Sequence, residues 1–247
     1  MKKWFAYGAL FLSLYLVFVV MLMPVSFVLS QVSMPKAVKL YGVSGSVWHT
    51  KVAQLQYNDV LLDDLDIRLN LTSLFALDPN LSVTFGSAMS KGPEGEMQVS
   101  GLLNDIKIFD ADILVSAAEI ANKLTLPIPM SAHGMVNVKL QEFVIGKPVC
   151  NVTQGRVTWK SASVTALEEK VTLGDFAGDL TCEQGALALK IAPENDLGLS
   201  FTAYVRQNAR ISGNGYLTPG SNFPETLKPA LSFIGKPDNQ GRYRLRM

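Results

Sequence analysis

Apolar and polar residues alternate at period two again and again along this chain. That pattern restricts it to antiparallel β-sheet with one buried face. Leu65-Asp66-Ile67-Arg68-Leu69-Asn70-Leu71 is the cleanest case, and residues 53–57, 97–102, 106–108, 135–140 and 186–191 follow the same rule. Turn formers separate these runs at Tyr57-Asn58-Asp59, Gly92-Pro93-Glu94-Gly95, Glu183-Gln184-Gly185 and Gly213-Asn214-Gly215. Ser212-Gly213-Asn214-Gly215-Tyr216 is glycine-rich and reads as a hairpin turn between strands.

Two stretches carry a helical period instead. Residues 116–124 open with Ser116 and Glu119 in capping-box spacing, and Pro127 stops them. Residues 223–234 place Leu227, Leu231 and Ile234 on one face, with Asn222 as cap and Pro229 as an interruption. The expected fold is mainly β: an antiparallel, repeat-containing domain with one or two short helices.

The repeat has a shift of about 111 residues. Trp48 meets Trp159, Val60 meets Val171, Leu62 meets Leu173, Asp64 meets Asp175, Leu65 meets Phe176 and Leu69 meets Leu180. A glycine leads each copy, Gly45 or Gly155, one residue out of step. The copies cover about 43–75 and 153–186. Amphipathic strands of this kind cannot bury a face alone, so the copies are expected to stack or pair.

The N-terminus has a different character. After Met1-Lys2-Lys3, residues 4–29 are strongly apolar, and the next charge is Lys36. Roughly 20 apolar residues span a hydrocarbon core. The run therefore reads as an uncleaved transmembrane helix over 4–29, with a cytoplasmic stub at 1–3 and residues 30–247 on the far side. A signal peptide would have a shorter apolar region and a small-x-small cleavage site. Pro24 predicts a kink or an early exit, and Trp4 and Tyr7 sit where interfacial anchors belong. Lys2 and Lys3 favour a cytoplasmic N-terminus. Lys36, Lys39 and Lys51 oppose that, but long domains translocate largely regardless of charge.

The two cysteines, Cys150 and Cys182, each lie in a β-type stretch, and a pair suits an oxidising compartment. The repeat brings their strands into one unit, so they are expected to form a disulfide; two unrelated buried thiols is the alternative. The formal net charge is +1 and no basic patch appears, which argues against nucleic acid.

Catalytic chemistry finds no footing. His49 and His133 stand in no metal-ligand spacing and near no carboxylate cluster, and read as ordinary surface or edge residues. No nucleophile elbow or phosphate loop occurs. Asp63, Asp64 and Asp66 offer three carboxylates, of which Asp64 and Asp66 share one strand face and read as solvated, without the glycine and further oxygens of a calcium site. Asn-x-Ser/Thr triplets at Asn70, Asn80 and Asn151 read as strand and turn residues, with a eukaryotic type II membrane protein as the outside reading. The expectation is a non-enzyme without metal, cofactor, catalytic or cofactor-binding residues.

Several phrases carry a family likeness. They are the N-terminal anchor, Val43-Ser44-Gly45-Ser46-Val47-Trp48, the cysteines bracketing Gly155-Arg156-Val157-Thr158-Trp159, and Leu231-Ser232-Phe233-Ile234-Gly235-Lys236-Pro237-Asp238-Asn239-Gln240-Gly241-Arg242-Tyr243. Together they resemble the protein N family of the bacterial type II secretion system. The resemblance implies a periplasmic domain anchored in the inner membrane of a Gram-negative bacterium. It also implies an accessory role in exporting folded proteins, with other secretion-system proteins as partners, and it brings no cofactor. The Gly-x-Val-Trp phrase is also similar to AsmA-type proteins, which keeps a periplasmic lipid-binding β-groove as the alternative. That alternative predicts a continuous apolar trough running along the repeat.

Overall fold

The computed structural model describes residues 2–31, 35, 37–58, 60–75, 78–87, 92–101, 105–123, 130–166, 169–207 and 210–246. The chain forms two compact units, residues 1–91 and 92–247.

Unit one opens with helix α1 (Lys2–Met21) and the short helix α2 (Val25–Gln31). The apolar run expected as one helix over 4–29 is therefore divided at Pro24, which has no N–H to continue the ladder. Among the described residues, no helix is long and apolar enough to cross a membrane. Four strands follow: β1 (Val38–Ser46), β2 (His49–Tyr57), β3 (Val60–Leu69) and β4 (Leu81–Phe85), with helix α3 (Leu71–Phe75) before the last. They pair antiparallel in chain order, with Val52 opposite Leu65 and Ile67 opposite Val83. Val52, Leu65, Val83 and Phe85 are buried, which is the apolar face that the alternation demanded.

The exit of α1 is tied to this sheet. Val20 would normally give its carbonyl to the N–H four residues on, but that residue is Pro24. The Trp48 indole N–H donates to the Val20 carbonyl at 3.1 Å, beside a longer bond from the Met23 N–H at 3.4 Å. Beside it, the Val47 N–H donates to the Met23 carbonyl at 3.2 Å, and Pro24 forms a bridge with Ser46.

Unit two is a meander of nine described strands, paired antiparallel in chain order. They are β5 (Glu94–Ser100), β6 (Lys107–Ser116), β7 (Met130–Ile145), β8 (Cys150–Ala166), β9 (Glu169–Glu183), β10 (Ala186–Ile191), β11 (Leu199–Arg206), β12 (Arg210–Leu217) and β13 (Tyr243–Arg246). Each pairs with the strand before and after it within the unit. Helix α4 (Ala117–Lys123) follows β6 with the Ser116 hydroxyl accepting from the Ala118 N–H; Leu124 and Pro127 lie outside the described residues. Ala117, Ala132 and Val136 form one buried cluster, and Ala162, Val171 and Leu173 another. Trp159 packs against both and stacks on Phe176 with ring centroids 5.7 Å apart.

Three expectations are corrected here. Residues 223–234 are not one α-helix but a 3-10 turn, Glu225–Ala230, followed by α5 (Leu231–Ile234). Pro229 lies inside the 3-10 turn, where its ring and missing N–H forbid an α ladder. Asn222 does not cap it; Pro224 stands at that position with no side-chain cap. The stretch Ser212-Gly213-Asn214-Gly215-Tyr216 is the middle of β12, not a turn. Gly213 pairs with Ala203 and Gly215 with Phe201. A Cβ on Gly213 would come within 2.5 Å of the Phe201 ring, so the glycines there make room for an aromatic side chain.

The repeat segments both fold as hairpins, β2–β3 and β8–β9, but with different registers. The Trp48 carbonyl accepts from the Leu69 N–H, whereas Trp159 faces Phe176. Two register shifts in β8, between Trp159 and Ser163, set the second copy apart.

Candidate functional site

The longest strands of unit two, β6 to β9, carry a row of charged side chains that no single stretch of sequence displays. Asp112 on β6 lies opposite Lys139 on β7, Lys139 opposite Arg156 on β8, and Arg156 opposite Asp179 on β9. The row reads acid, base, base, acid across four strands. Lys139 Nζ reaches Asp112 Oδ2 at 3.0 Å, and Arg156 Nε reaches Asp179 Oδ1 at 3.0 Å. Each cation is thus drawn outward to its own acid, and the two cations remain neighbours at the centre. Like charges directly opposed on adjacent strands are unfavourable unless something answers them.

Neighbouring positions on these strands are mostly polar. The Asn137 amide donates to Asp112 Oδ1 at 2.6 Å. That bond, with the Lys139 ammonium, holds the Asp112 carboxyl below the usual carboxylate range. Asn137 lies opposite Thr158, Met135 opposite Lys160, and Gln154 opposite Thr181. Together with Gln141, these residues line a groove of about 860 Å³. Leu114, Met135 and Leu180 are its apolar lining residues. The hydroxyl oxygens of Thr153 and Thr181, also on lining residues, are buried and have no hydrogen-bond partner among the described residues. Alternation puts Val136 and Val138 on the other side of β7, where α4 packs through Ala117 and Ala121.

The cysteines sit at one end of the same strands. Cys150 opens β8, Cys182 lies near the end of β9, and their sulfurs are bonded, with Cα atoms 6.0 Å apart. The Val149 and Cys150 N–H groups both donate to the Gly185 carbonyl at the β9–β10 turn.

The histidines correct one expectation and extend another. His49 is not remote from carboxylates: its Nε2 lies 2.9 Å from Asp66 Oδ2, because the β2–β3 register sets it opposite Arg68. Arg68 Nε reaches the other oxygen of Asp66 at 2.9 Å. The hydrogen bond from His49 and the Arg68 guanidinium hold the Asp66 carboxyl below its ordinary value. With both oxygens engaged, this trio ties β2 to β3. Of the two neighbouring aspartates, Asp63 accepts from the Gln54 amide at 2.8 Å, and Asp64, expected on the same face as Asp66, takes a left-handed φ of 51°. His133 Nε2 lies 2.9 Å from the Thr165 hydroxyl, and its backbone carbonyl accepts the Trp159 indole N–H at 3.0 Å. Among the described residues, no group of three His, Cys, Asp or Glu is placed to hold a metal ion.

The groove escaped the sequence reading because its members are spaced far apart in the chain. The only signal was that Asp112, Lys139, Arg156 and Asp179 each fall at polar positions of strand-like segments. Their alignment depends on a register that passes through bulges near Leu140 and Trp159.

Comparison with known proteins gives a consistent answer. The model of a family described as "Type II secretion system (T2SS), protein N" matches residues 36–246. A type II secretion system protein N from Aeromonas hydrophila is 31% identical over 260 aligned residues, covering 100% of this chain and 98% of the relative. One from Vibrio cholerae is 28% identical, covering 98% and 97%. One from Klebsiella pneumoniae is 24% identical, covering 98% and 94%. No solved structure matches.

Proposed function

The chain belongs to the type II secretion system protein N family, and from that premise we propose that it is an accessory inner-membrane component of the machine. It supports export of folded proteins across the outer membrane by contact with other secretion-system proteins. The observation that carries this reading is the full-length match to relatives of that family, joined to a β-rich fold.

The anchor is part of the proposal. No helix among the described residues is long and apolar enough by itself, so the reading rests on the uncharged run from Trp4 to Pro35. Trp4, Phe11 and Phe18 are 84%, 74% and 67% exposed, as lipid-facing side chains would be. Lys2 and Lys3 then stay in the cytoplasm, and the strands of both units lie in the periplasm, where the cysteine pair would be oxidised.

The lipid-groove alternative receives less support. It calls for a continuous apolar trough, and most of the side chains around the groove across β6–β9 end in amides, hydroxyls or charged groups, although their aliphatic parts and Leu114, Met135 and Leu180 make its surface more apolar than polar.

Two measurements test the proposal together. A strain lacking the chain is expected to release less of its secreted substrates, and the full chain to restore them. Spheroplast proteolysis is expected to digest the region after residue 31 and leave the N-terminus protected. Unchanged secretion, or protection of the whole chain, would overturn it.

A further inference from the structure

We propose that the groove across β6–β9 binds an extended, acidic polypeptide segment of a partner protein. This rests on the secretion-component reading and adds a place and a chemistry to it.

The charge arrangement points to the ligand. Lys139 and Arg156 stand directly opposite each other on adjacent strands, and their acids, Asp112 and Asp179, lie on the outer sides. Directly opposed Cβ atoms in a sheet are about 5 Å apart. A carboxylate entering between the two side chains can accept from both without displacing either acid. Lys160, further along β8 in the same groove, has no ion-pair partner among the described residues. The groove centre therefore carries more positive charge than its own acids answer.

The rest of the lining argues for polypeptide. Gln141, Gln154 and Thr158 each offer a donor and an acceptor, which matches the alternating N–H and C=O groups of an extended chain. Four strands at about 4.8 Å spacing make a track of roughly 14 Å, the length of four or five extended residues. An acyl chain would satisfy none of these groups, so a phospholipid fits only through its phosphate.

The test uses the full chain in neutral detergent micelles and a fluorescein-labelled peptide of five Glu-Thr repeats, read by anisotropy. The wild type is expected to bind it saturably, at least tenfold more weakly at 0.5 M salt, and to bind the matching Gln-Thr peptide at least tenfold more weakly. Lys139→Gln/Arg156→Gln is expected to lose tenfold or more. Lys160→Gln, which strands no acid, is expected to lose about threefold, and Lys228→Gln, outside the groove, to change nothing. Circular dichroism checks that each variant folds. The proposal is overturned if the wild type does not bind, or if Lys139→Gln/Arg156→Gln binds equally well. Displacement by equimolar glycerophosphoglycerol also overturns it, assigning the cations to a lipid headgroup. If peptide binding fails while the chain still restores secretion, the groove assignment falls and the secretion reading stands. If the chain has no effect on secretion, that reading itself falls.

Discussion

Removing the Cys150–Cys182 link should cost unit two a large part of its stability. The two cysteines are 32 residues apart in sequence, and that loop contains the β8–β9 hairpin. In the chain-entropy account, closing a loop of this length removes roughly 12 cal/mol/K from the unfolded ensemble, or about 3.7 kcal/mol at 25 °C. That is an upper figure, because the hairpin already pairs from Gln154–Thr181 to Ala166–Glu169 and retains some order when reduced. The assay is urea unfolding of the full chain in micelles, followed by Trp159 fluorescence in a Trp4→Phe/Trp48→Phe background. With a slope of about 2 kcal/mol/M, the midpoint should fall by roughly 1–2 M in Cys150→Ala/Cys182→Ala. It should fall by a similar amount when the parent is reduced. The reasoning is refuted if reductant leaves the midpoint unchanged and titration of unreduced protein finds two free thiols.

Three further predictions concern unit one and the acid stability of both units. Trp48→Phe leaves the Val20 carbonyl without its indole donor; about 1 kcal/mol should be lost, seen as faster hydrogen exchange at the Val47 amide, and unchanged exchange would contradict the latch. Gly45→Ala should cost roughly 1–3 kcal/mol, because Gly45 has φ +96° and a Cβ there would lie 2.2 Å from the His49 carbonyl oxygen; an unshifted thermal midpoint would count against this register. Asp66 and Asp112 both have carboxyls held below the ordinary value of 3.8, so their contribution is complete above about pH 4 and is lost as pH falls through the lower folded values. Urea midpoints should therefore drop between pH 5 and pH 2, and Asp66→Asn and Asp112→Asn should each flatten that drop; parallel curves would refute the assignment.

Much of the fold was legible because period-two alternation reports directly on which residues face a core. Leu65, expected on the apolar face, is buried, and Asp66 and Arg68 lie on the polar one. Composition misled where glycine had a second use. In Ser212-Gly213-Asn214-Gly215-Tyr216, the glycines admit the Phe201 ring to a strand, and nothing local distinguishes that from a turn. Pairing was hidden for a related reason. A shift of 111 residues aligns Trp48 with Trp159, yet bulges in β8 give the second tryptophan Phe176 as its partner, a choice settled by tertiary packing. The groove is the furthest case. Four side chains spread from Asp112 to Asp179 become one row only after three strand registers are fixed.

The most direct measurement of the central claim is photo-crosslinking in living cells from Gln56, Asn137 and Gln154, followed by mass spectrometry of the captured species. The account predicts adducts with other subunits of the type II secretion machine, strongest from Asn137 and Gln154 in the groove. Capture of phospholipid without any secretion subunit would contradict it.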